Sequence, residues 1–436
     1  MPHPFPLSRA RRLTAICVVV VSVGLAGACD RPDRSAGVSL VGVPGQVNEH
    51  VSITSDGASL VAMAWSASSE SHGSHIFAAV SAHGGASFGP PVRVNAIDRP
   101  ARVNGEQPPR VTLVQRVDGS RSIAVLWTAK GADSTSLFYA ESQDDGRSFG
   151  PAVPILSQDV KGNRGWESMV TAKDGRVFVL WLDHRDSASS RSSHDAHHHG
   201  AHSTEDAVAR AQRSQLFVSA LDGSVVPTAI ARGVCYCCKT ALAAGPDGKV
   251  YAAWRHVFSG SHRDIAFTLS REGAAGRFAE PVRVSADGWQ LDGCPENGPA
   301  LAVDAGRRIH VVWPTLVEGP RERLQLFHAS STDGRTFSSR TPLPSNGNAS
   351  HPQVIVAPDG SLIAAWDELA AGKRQVRVAR GRPAANNGVA FSLLSTADDR
   401  AGLYPALAAT STGAVLAWAR PQEGAQSRIA VTRISD

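Results

Sequence analysis

Seven stretches of the chain follow one plan. "DGASLVAMAW", "DGSRSIAVLW", "DGRVFVLW", "DGKVYAAW", "AGRRIHVVW", "DGSLIAAW" and "TGAVLAW" each run from a glycine turn through an apolar segment to Trp65, Trp127, Trp181, Trp254, Trp313, Trp366 and Trp418. Each predicts a turn followed by a strand buried on both faces. A shorter strand precedes most of them, as in "PALAVDA" (299–305) and "HPQVIVAP" (351–358). A third follows, such as "LFYAES" (137–142) or "DIAFTLS" (264–270), and often a fourth like "PVRVN" (91–95) or "PVRVS" (281–285). Four short strands in repeats of roughly 50 to 60 residues predict all-β architecture and the blades of a β-propeller. One twisted sheet cannot bury both of its faces, so the repeats must pack on one another. The count predicts seven blades in one domain over 37–436, with six as the alternative. The last repeat ends at "SRIAVTRISD" after three strands, while "GVSLVGVP" (37–44) stands before the first as an unpaired strand. That N-terminal strand is expected to complete the last blade and close the ring. The composition agrees: 42% apolar residues, 40 glycines and 26 prolines suit many turns and a large core.

The N-terminus reads as an export signal over 1–28. Arg9, Arg11 and Arg12 precede the apolar run "LTAICVVVVSVGL" (13–25), which is too short to span a bilayer comfortably. "LAGAC" then resembles a bacterial lipobox, which implies a lipid on Cys29, a polar tether over 29–36 and a place on the periplasmic side of the bacterial envelope. Ala26 and Ala28 would also suit ordinary signal peptidase, leaving a soluble exported protein. The formal charge of the whole chain is +5, and three of those charges belong to the signal. The remainder are interspersed without a basic run, which argues against nucleic acid as a partner. A membrane contact is expected through the lipid alone, and no feature identifies a protein partner.

"SQDDGRSF" (142–149) fits S-x-D-x-G-x-x-F. Read from the residues, it is a tight hairpin: Asp144 accepts turn N–H groups from its place after Ser142, Gly146 permits positive φ, and Phe149 packs back on the blade. "SSTDGRTF" (330–337) and "SAHGGASF" (81–88) are looser copies, with Thr332 and His83 at the aspartate position. The motif resembles the Asp-box of the sialidase-like, BNR-repeat propellers. The resemblance spans nearly the whole mature chain and implies that these hairpins lie on the face opposite an active site, with a structural role.

Strand order sorts the loops. In a four-stranded meander, the 2–3 loops and the connections from strand 4 to the next strand 1 emerge on one face. "WLDHRD" (181–186) with the His-rich insert, "GVCYCCKT" (233–240), "WRHVFSGSHRD" (254–264) and "DGWQLDGCPENGP" (287–299) all belong to that set, around blades three to five. Cys235, Cys237, Cys238 and Cys294 therefore meet on one face. Export favours two disulfides that pin the loops, with Cys294 paired to one of the CYCC group because vicinal cysteines bridge with strain. The other reading is a thiolate site for copper or zinc, whose soft-ligand chemistry four cysteines would satisfy. A single reactive cysteine is the third. His194, His197, His198, His199 and His202 in the insert are candidate metal ligands, or else a low-complexity surface segment.

Charged residues of the same loops, Asp183, Arg185, Arg255, Arg263 and Glu296, either pin loops as ion pairs or line a pocket for a carboxylate-bearing or sugar ligand. The sialidase resemblance implies an arginine triad and a tyrosine nucleophile. The nearest approach to the family's F/Y-R-I-P segment is "PPRV" (108–111) with Arg110, and of four tyrosines only Tyr236 and Tyr404 fall at mouth positions. That family is also six-bladed. The leading expectation is thus a metal or small-ligand binder of the cell envelope, with an exo-sialidase-type glycoside hydrolase and a protein-interaction scaffold as alternatives.

Overall fold

The structure, a computed structural model, describes residues 1, 37–70, 73–95, 100–116, 118–156, 161–188, 204–271, 277–291, 293–319, 322–384, 388–394, 401–422 and 426–435. The chain divides into two units, Met1–Asp33 and Arg34–Asp436, and every strand belongs to the second. A short β1 (Val38–Val41) leads into the first sheet: β2 (Val47–Ser55), β3 (Val61–Ser69), β4 (Gly73–Ser81) and β5 (Val92–Arg93). The second is β6 (Arg110–Gln115), β7 (Arg121–Lys130), β8 (Thr135–Ser142) and β9 (Val153–Pro154). The third holds β10 (Arg164–Thr171), β11 (Val177–Asp183), β12 (Gln215–Ala220) and β13 (Thr228–Arg232), with helices α1 (Arg185–Ala188) and α2 (Thr204–Arg213) between β11 and β12. Next come β14 (Ala241–Ala244), β15 (Val250–Arg255), β16 (Ile265–Leu269) and β17 (Val282–Arg283). They are followed by β18 (Ala300–Val303), β19 (Ile309–Val317), β20 (Arg323–Ser331) and β21 (Thr341–Pro342). The sixth sheet is β22 (Asn348–Val356), β23 (Leu362–Ala370), β24 (Lys373–Pro383) and β25 (Val389–Leu393), and the chain ends with β26 (Leu403–Thr410), β27 (Gly413–Pro421) and β28 (Ser427–Ser435).

Within each sheet consecutive strands pair antiparallel, the arrangement of propeller blades. β1 pairs antiparallel with β28, Val38 opposite Thr432 and Val41 opposite Ile429. The start of β28 also touches β2, at Val47 and Ser427.

The core lies between sheets. All seven repeat tryptophans are buried on the second strands. Four meet a phenylalanine directly across the ladder: Trp65 stacks on Phe77, Trp127 on Phe138 and Trp181 on Phe217, and Trp313 lies tilted against Phe327. Each apolar cluster joins neighbours, for instance Leu180 and Leu216 against Val250 and Trp254. Another places Val61, Met63 and Trp65 against Val415, Ala417 and Ile429, so the first and last sheets share a core. Trp127 Nε1 is buried without an acceptor among the described residues, but most of the buried indole N–H groups find one: Asp183 at the end of β11 for Trp181, Glu368 in β23 for Trp366, and in connecting segments Asp287 for Trp313 and the Ala401 carbonyl for Trp418.

Asn48 does this for Trp65 and more. Its Oδ1 accepts from Trp65 Nε1 at 2.9 Å and from the Val43 N–H at 2.7 Å. Its Nδ2 donates to the carbonyls of Val43 and Ser427, at 3.0 and 2.9 Å. One buried side chain thus ties the turn after β1, the first sheet and the last strand. Asn48→Ala would strand two donors and two acceptors in the interior and is expected to destabilise the fold by about 3 kcal/mol. The measurement is the urea midpoint, and an unchanged midpoint contradicts this role.

Candidate functional site: a cysteine cluster flanked by buried arginines

The Asp-box hairpin after β8 behaves as its sequence predicts. Ser142 Oγ donates to Asp144 at 2.8 Å and accepts from the Gly146 N–H at 2.8 Å, while Asp144 accepts from Ser148 N and Oγ at 2.9 and 2.6 Å. Gly146 has φ 82°, and a Cβ there would lie 2.5 Å from Val80. These Ser148 hydrogen bonds hold the exposed Asp144 carboxyl at about 2. Phe149 packs on the neighbouring core. The hairpin after β20 differs from the expected alignment by one residue. Asp333, rather than a residue at Thr332, accepts from the N–H groups of Arg335 and Thr336 and from Ser331 Oγ.

The opposite loops converge on sulfur. The β13–β14 connection runs back over the end of β15, where the Cys235 N–H donates to the Arg255 carbonyl at 2.9 Å. Cys237 is bridged to Cys294 of the β17–β18 connection, with a Cα separation of 6.1 Å. Cys235 and Cys238 are free thiols, so the expectation of two disulfides is corrected to one. Cys238 Sγ lies 3.6 Å from Cys235 Sγ, which in turn lies 3.9 Å from Cys237 Sγ. All three sulfurs fall within 4.8 Å of one another. Cys235 and Cys238 stand three apart, a C-x-x-C pair that reading the run as C-x-C-C conceals.

The two connections are locked together at their other ends. Glu106 Oε2 accepts from the N–H of Lys239 at 2.8 Å and from that of Gly298 at 2.6 Å. A Cβ at position 298 would lie 2.1 Å from the Lys239 carbonyl, so only glycine allows this approach. Lys239 reaches inward, its Nζ donating to the Pro352 carbonyl at 2.6 Å, and burial brings its ammonium down to about 8.

Two guanidinium groups sit beside the sulfurs. Arg255 and Arg263 are 1% and 0% exposed, and no described carboxylate lies within ion-pair distance of either. Arg255 donates to the carbonyls of Asn297 and Pro314, at 2.9 and 2.6 Å, and to that of Arg263. Arg263 donates from Nε to Leu291 at 2.8 Å and from Nη1 to Cys235 Sγ at 3.1 Å. Unpaired buried cations are costly. Among the described residues, the ionisable group that Arg263 reaches is the Cys235 sulfur. Burial opposes a Cys235 thiolate, but the Cys238 S–H and the charges of Arg263 and Arg255 outweigh it and bring this thiol down to about 6. Cys238 moves the other way, raised by burial and by its neighbour Cys235.

The remaining candidates are distributed differently. Arg185 grips Asp183 through Nε and Nη2, at 2.9 and 2.6 Å, and Arg164 donates to the same carboxylate at 3.2 Å. Arg110 donates to the Glu167 carbonyl at 2.7 Å and lines a cavity of about 120 Å³ with Lys239, His351 and Tyr404. Glu167 is buried and pushed up to about 7. Tyr404 lies between His50 and His351, with ring centroids at 5.5 and 4.5 Å. Tyr236 lines a separate cleft of about 740 Å³ with Trp166, His184, Lys161, Asp133 and Arg210. Glu296 is exposed with φ 46°, two residues after Cys294. His194, His197, His198, His199, His202 and Cys29 lie outside the described residues.

Some contributors carry no sequence signature of their own. His50, Trp166, His351 and Tyr404 occupy one register position, a β-bulge near the start of a first strand, with φ between 53° and 55°. His50, Trp166 and His351 each lie 15 residues before a repeat tryptophan and Tyr404 lies 14 before Trp418, so aligning the tryptophans brings three of the four into one rank. Helix α2 packs Ala211 against the cysteines, and Arg210 and Arg213 in its last turn suit the helix dipole.

No family model matches this chain, and no curated protein matches it. Solved structures do. The PL25 ulvan lyase, a polysaccharide lyase, aligns at TM-score 0.54 and 10% identity over 92% of this chain and 94% of that one. The polysaccharide lyase Uly1 aligns at TM-score 0.52 and 10% identity, over 88% and 89%. The NanB sialidase of Streptococcus pneumoniae gives TM-score 0.45 and 9% identity over 78% of this chain and 69% of its own.

Replacing Arg263 tests the electrostatics. The Cys235 thiolate is present above pH 6, and its contribution to stability fades as pH falls through that value, because its folded value lies below the ordinary one. Arg263→Gln is expected to move its ultraviolet titration midpoint upward by about one unit or more. An unmoved midpoint contradicts the pairing. Taken with the two lyase alignments, the antiparallel four-stranded sheets and their order give this chain a β-propeller fold.

Proposed function

We propose that this chain is an exported, lipid-anchored, seven-bladed propeller closed by β1, and that its reduced cysteine cluster binds one soft metal ion, Cu(I) or Zn(II). The observation that carries this reading is the pair of buried arginines that, among the described residues, have no carboxylate within ion-pair distance, placed against four cysteines drawn from two loops. Four thiolates on a divalent ion carry two net negative charges, which Arg255 and Arg263 match. The spacing supports it as well. A tetrahedral ion with metal–sulfur bonds of about 2.3 Å holds its sulfurs about 3.8 Å apart, and the cluster already has separations of 3.6 and 3.9 Å.

A second reading, a small anionic or carbohydrate ligand, is favoured by the 740 Å³ cleft, where Trp166 and Tyr236 offer aromatic faces beside Lys161 and Arg210. The sialidase alternative has less support. Arg255 spends its guanidinium on three carbonyls and Arg185 on Asp183, so neither is free for a substrate carboxylate.

Metal content of anaerobically reduced protein provides the test. The wild type is expected to hold one ion per chain, Cys235→Ser with Cys238→Ser to hold none, and deletion of 193–202 to leave the stoichiometry unchanged. Equal, near-zero metal in all three rejects the metal reading.

A further inference from the structure

We infer that the Cys237–Cys294 disulfide is a redox gate on this metal site, and that the exposed Cys294 sulfur is where a dithiol reductant attacks. The inference rests on the metal reading and adds its regulation.

The four sulfurs are unequal. Cys235, Cys237 and Cys238 are buried, at 1%, 5% and 2% exposure, whereas Cys294 is exposed. The two free thiols are thus shielded from a reagent in solution, and of the two bridged residues Cys294 is the exposed one. With the bridge closed, the cluster offers Cys235 and Cys238 as thiolate donors, and the neutral disulfide sulfur of Cys237 fills the third corner as a poor ligand. Two donors fall short of a tetrahedral site. With the bridge open, four donors are present.

The chemistry balances with a dithiol as the named co-reactant. One thiolate of the reductant attacks Cys294 Sγ; the Cys237–Cys294 bond breaks, and Cys237 leaves as the thiolate. The reductant's second thiolate then attacks its own sulfur in the mixed disulfide and releases Cys294. The reductant departs as a disulfide and the protein gains two electrons. A metal ion then displaces the thiol protons as it binds.

The loop is built to keep Cys294 in place after the bridge opens. Three residues earlier, the Leu291 carbonyl accepts from Arg263 Nε at 2.8 Å. Four residues later, the Gly298 N–H donates to Glu106 at 2.6 Å. The second anchor is buried and the first partly so, and neither contact is made by the disulfide. Opening the bridge therefore frees a thiol without releasing the segment that carries it.

The experiment compares Zn(II) binding by the full chain in its oxidised and dithiol-reduced forms, and by Cys294→Ser, which cannot form the bridge. The reduced wild type should bind one Zn(II), at least about 100-fold more tightly than the oxidised wild type, a larger effect than loss of an outer-shell contact. Cys294→Ser should bind with an affinity between the two, and pretreatment with a mild oxidant or with dithiol should leave that affinity unchanged. A brief dithiol pulse followed by an alkylating trap on the folded wild type should label Cys294 before Cys235 or Cys238. Equal affinity in both redox forms of the wild type, or first labelling at Cys235 or Cys238, overturns the gate. Absence of Zn(II) from the reduced wild type overturns the metal reading itself, a result distinct from either. The wild-type comparison stands alone should the serine variant fail to fold.

Discussion

A four-stranded sheet that is apolar on both faces has no stable existence alone, and much of this molecule follows from that constraint. The second strands bury residues in unbroken runs, from Val61 to Ala67 and from Val177 to Asp183. Each sheet therefore needs a neighbour on either side, and the apolar clusters lie between sheets rather than within them. The repeat tryptophan is the largest part of this contact. Its indole N–H creates the next requirement, an acceptor held at one end of the sheet. Asp183 and Glu368 meet it from second strands and Asp287 from a connecting loop. Packing inside the sheets thus decides where carboxylates stand at the mouth, and the arginines that pair with them follow: Arg185 with Asp183 and Arg340 with Asp287.

The cysteine cluster departs from that economy. Around β15 the position two residues after the tryptophan is His256, which accepts from Trp254 at 3.4 Å. Two arginines are buried there with no described carboxylate within ion-pair distance of either, the neighbouring Asp264 being paired with Arg283. Arg255 and Arg263 instead hold backbone carbonyls and one sulfur, in a structure that otherwise pairs its buried aspartates and arginines carefully. A local violation of a rule observed elsewhere in the same chain is where function is expected to reside. The redox gate extends this logic, since the charge that the arginines face depends on how many of the four sulfurs are thiolates.

Much of the architecture was legible because it repeats. Seven tryptophans in one phase revealed the sheets, and strand order alone put both cysteine-bearing connections on one face, where Cys237 and Cys294 indeed meet. What stayed hidden was local or non-repeating. The choice of Cys237 as partner, and a single bridge in place of two, depends on the path of each loop over the end of β15. The one-residue shift that makes Asp333 the working aspartate leaves the motif's spacing altered while its hydrogen bonds survive. The left-handed bulges at His50, Trp166, His351 and Tyr404 carry no glycine to announce them. Glu106 is far from the cysteines in sequence, and its role as the clasp between Lys239 and Gly298 appears only once the sheets are placed. The arginines were recognised as candidates, but their lack of carboxylate partners is a fact of three dimensions.

X-ray absorption at the edge of the bound metal, on anaerobically reduced protein, tests the central claim most directly. The account predicts a first shell of sulfur alone, at about 2.3 Å for zinc, with no imidazole scattering. A shell dominated by nitrogen or oxygen would place the ion elsewhere and contradict the assignment of Cys235, Cys237, Cys238 and Cys294 as the metal site.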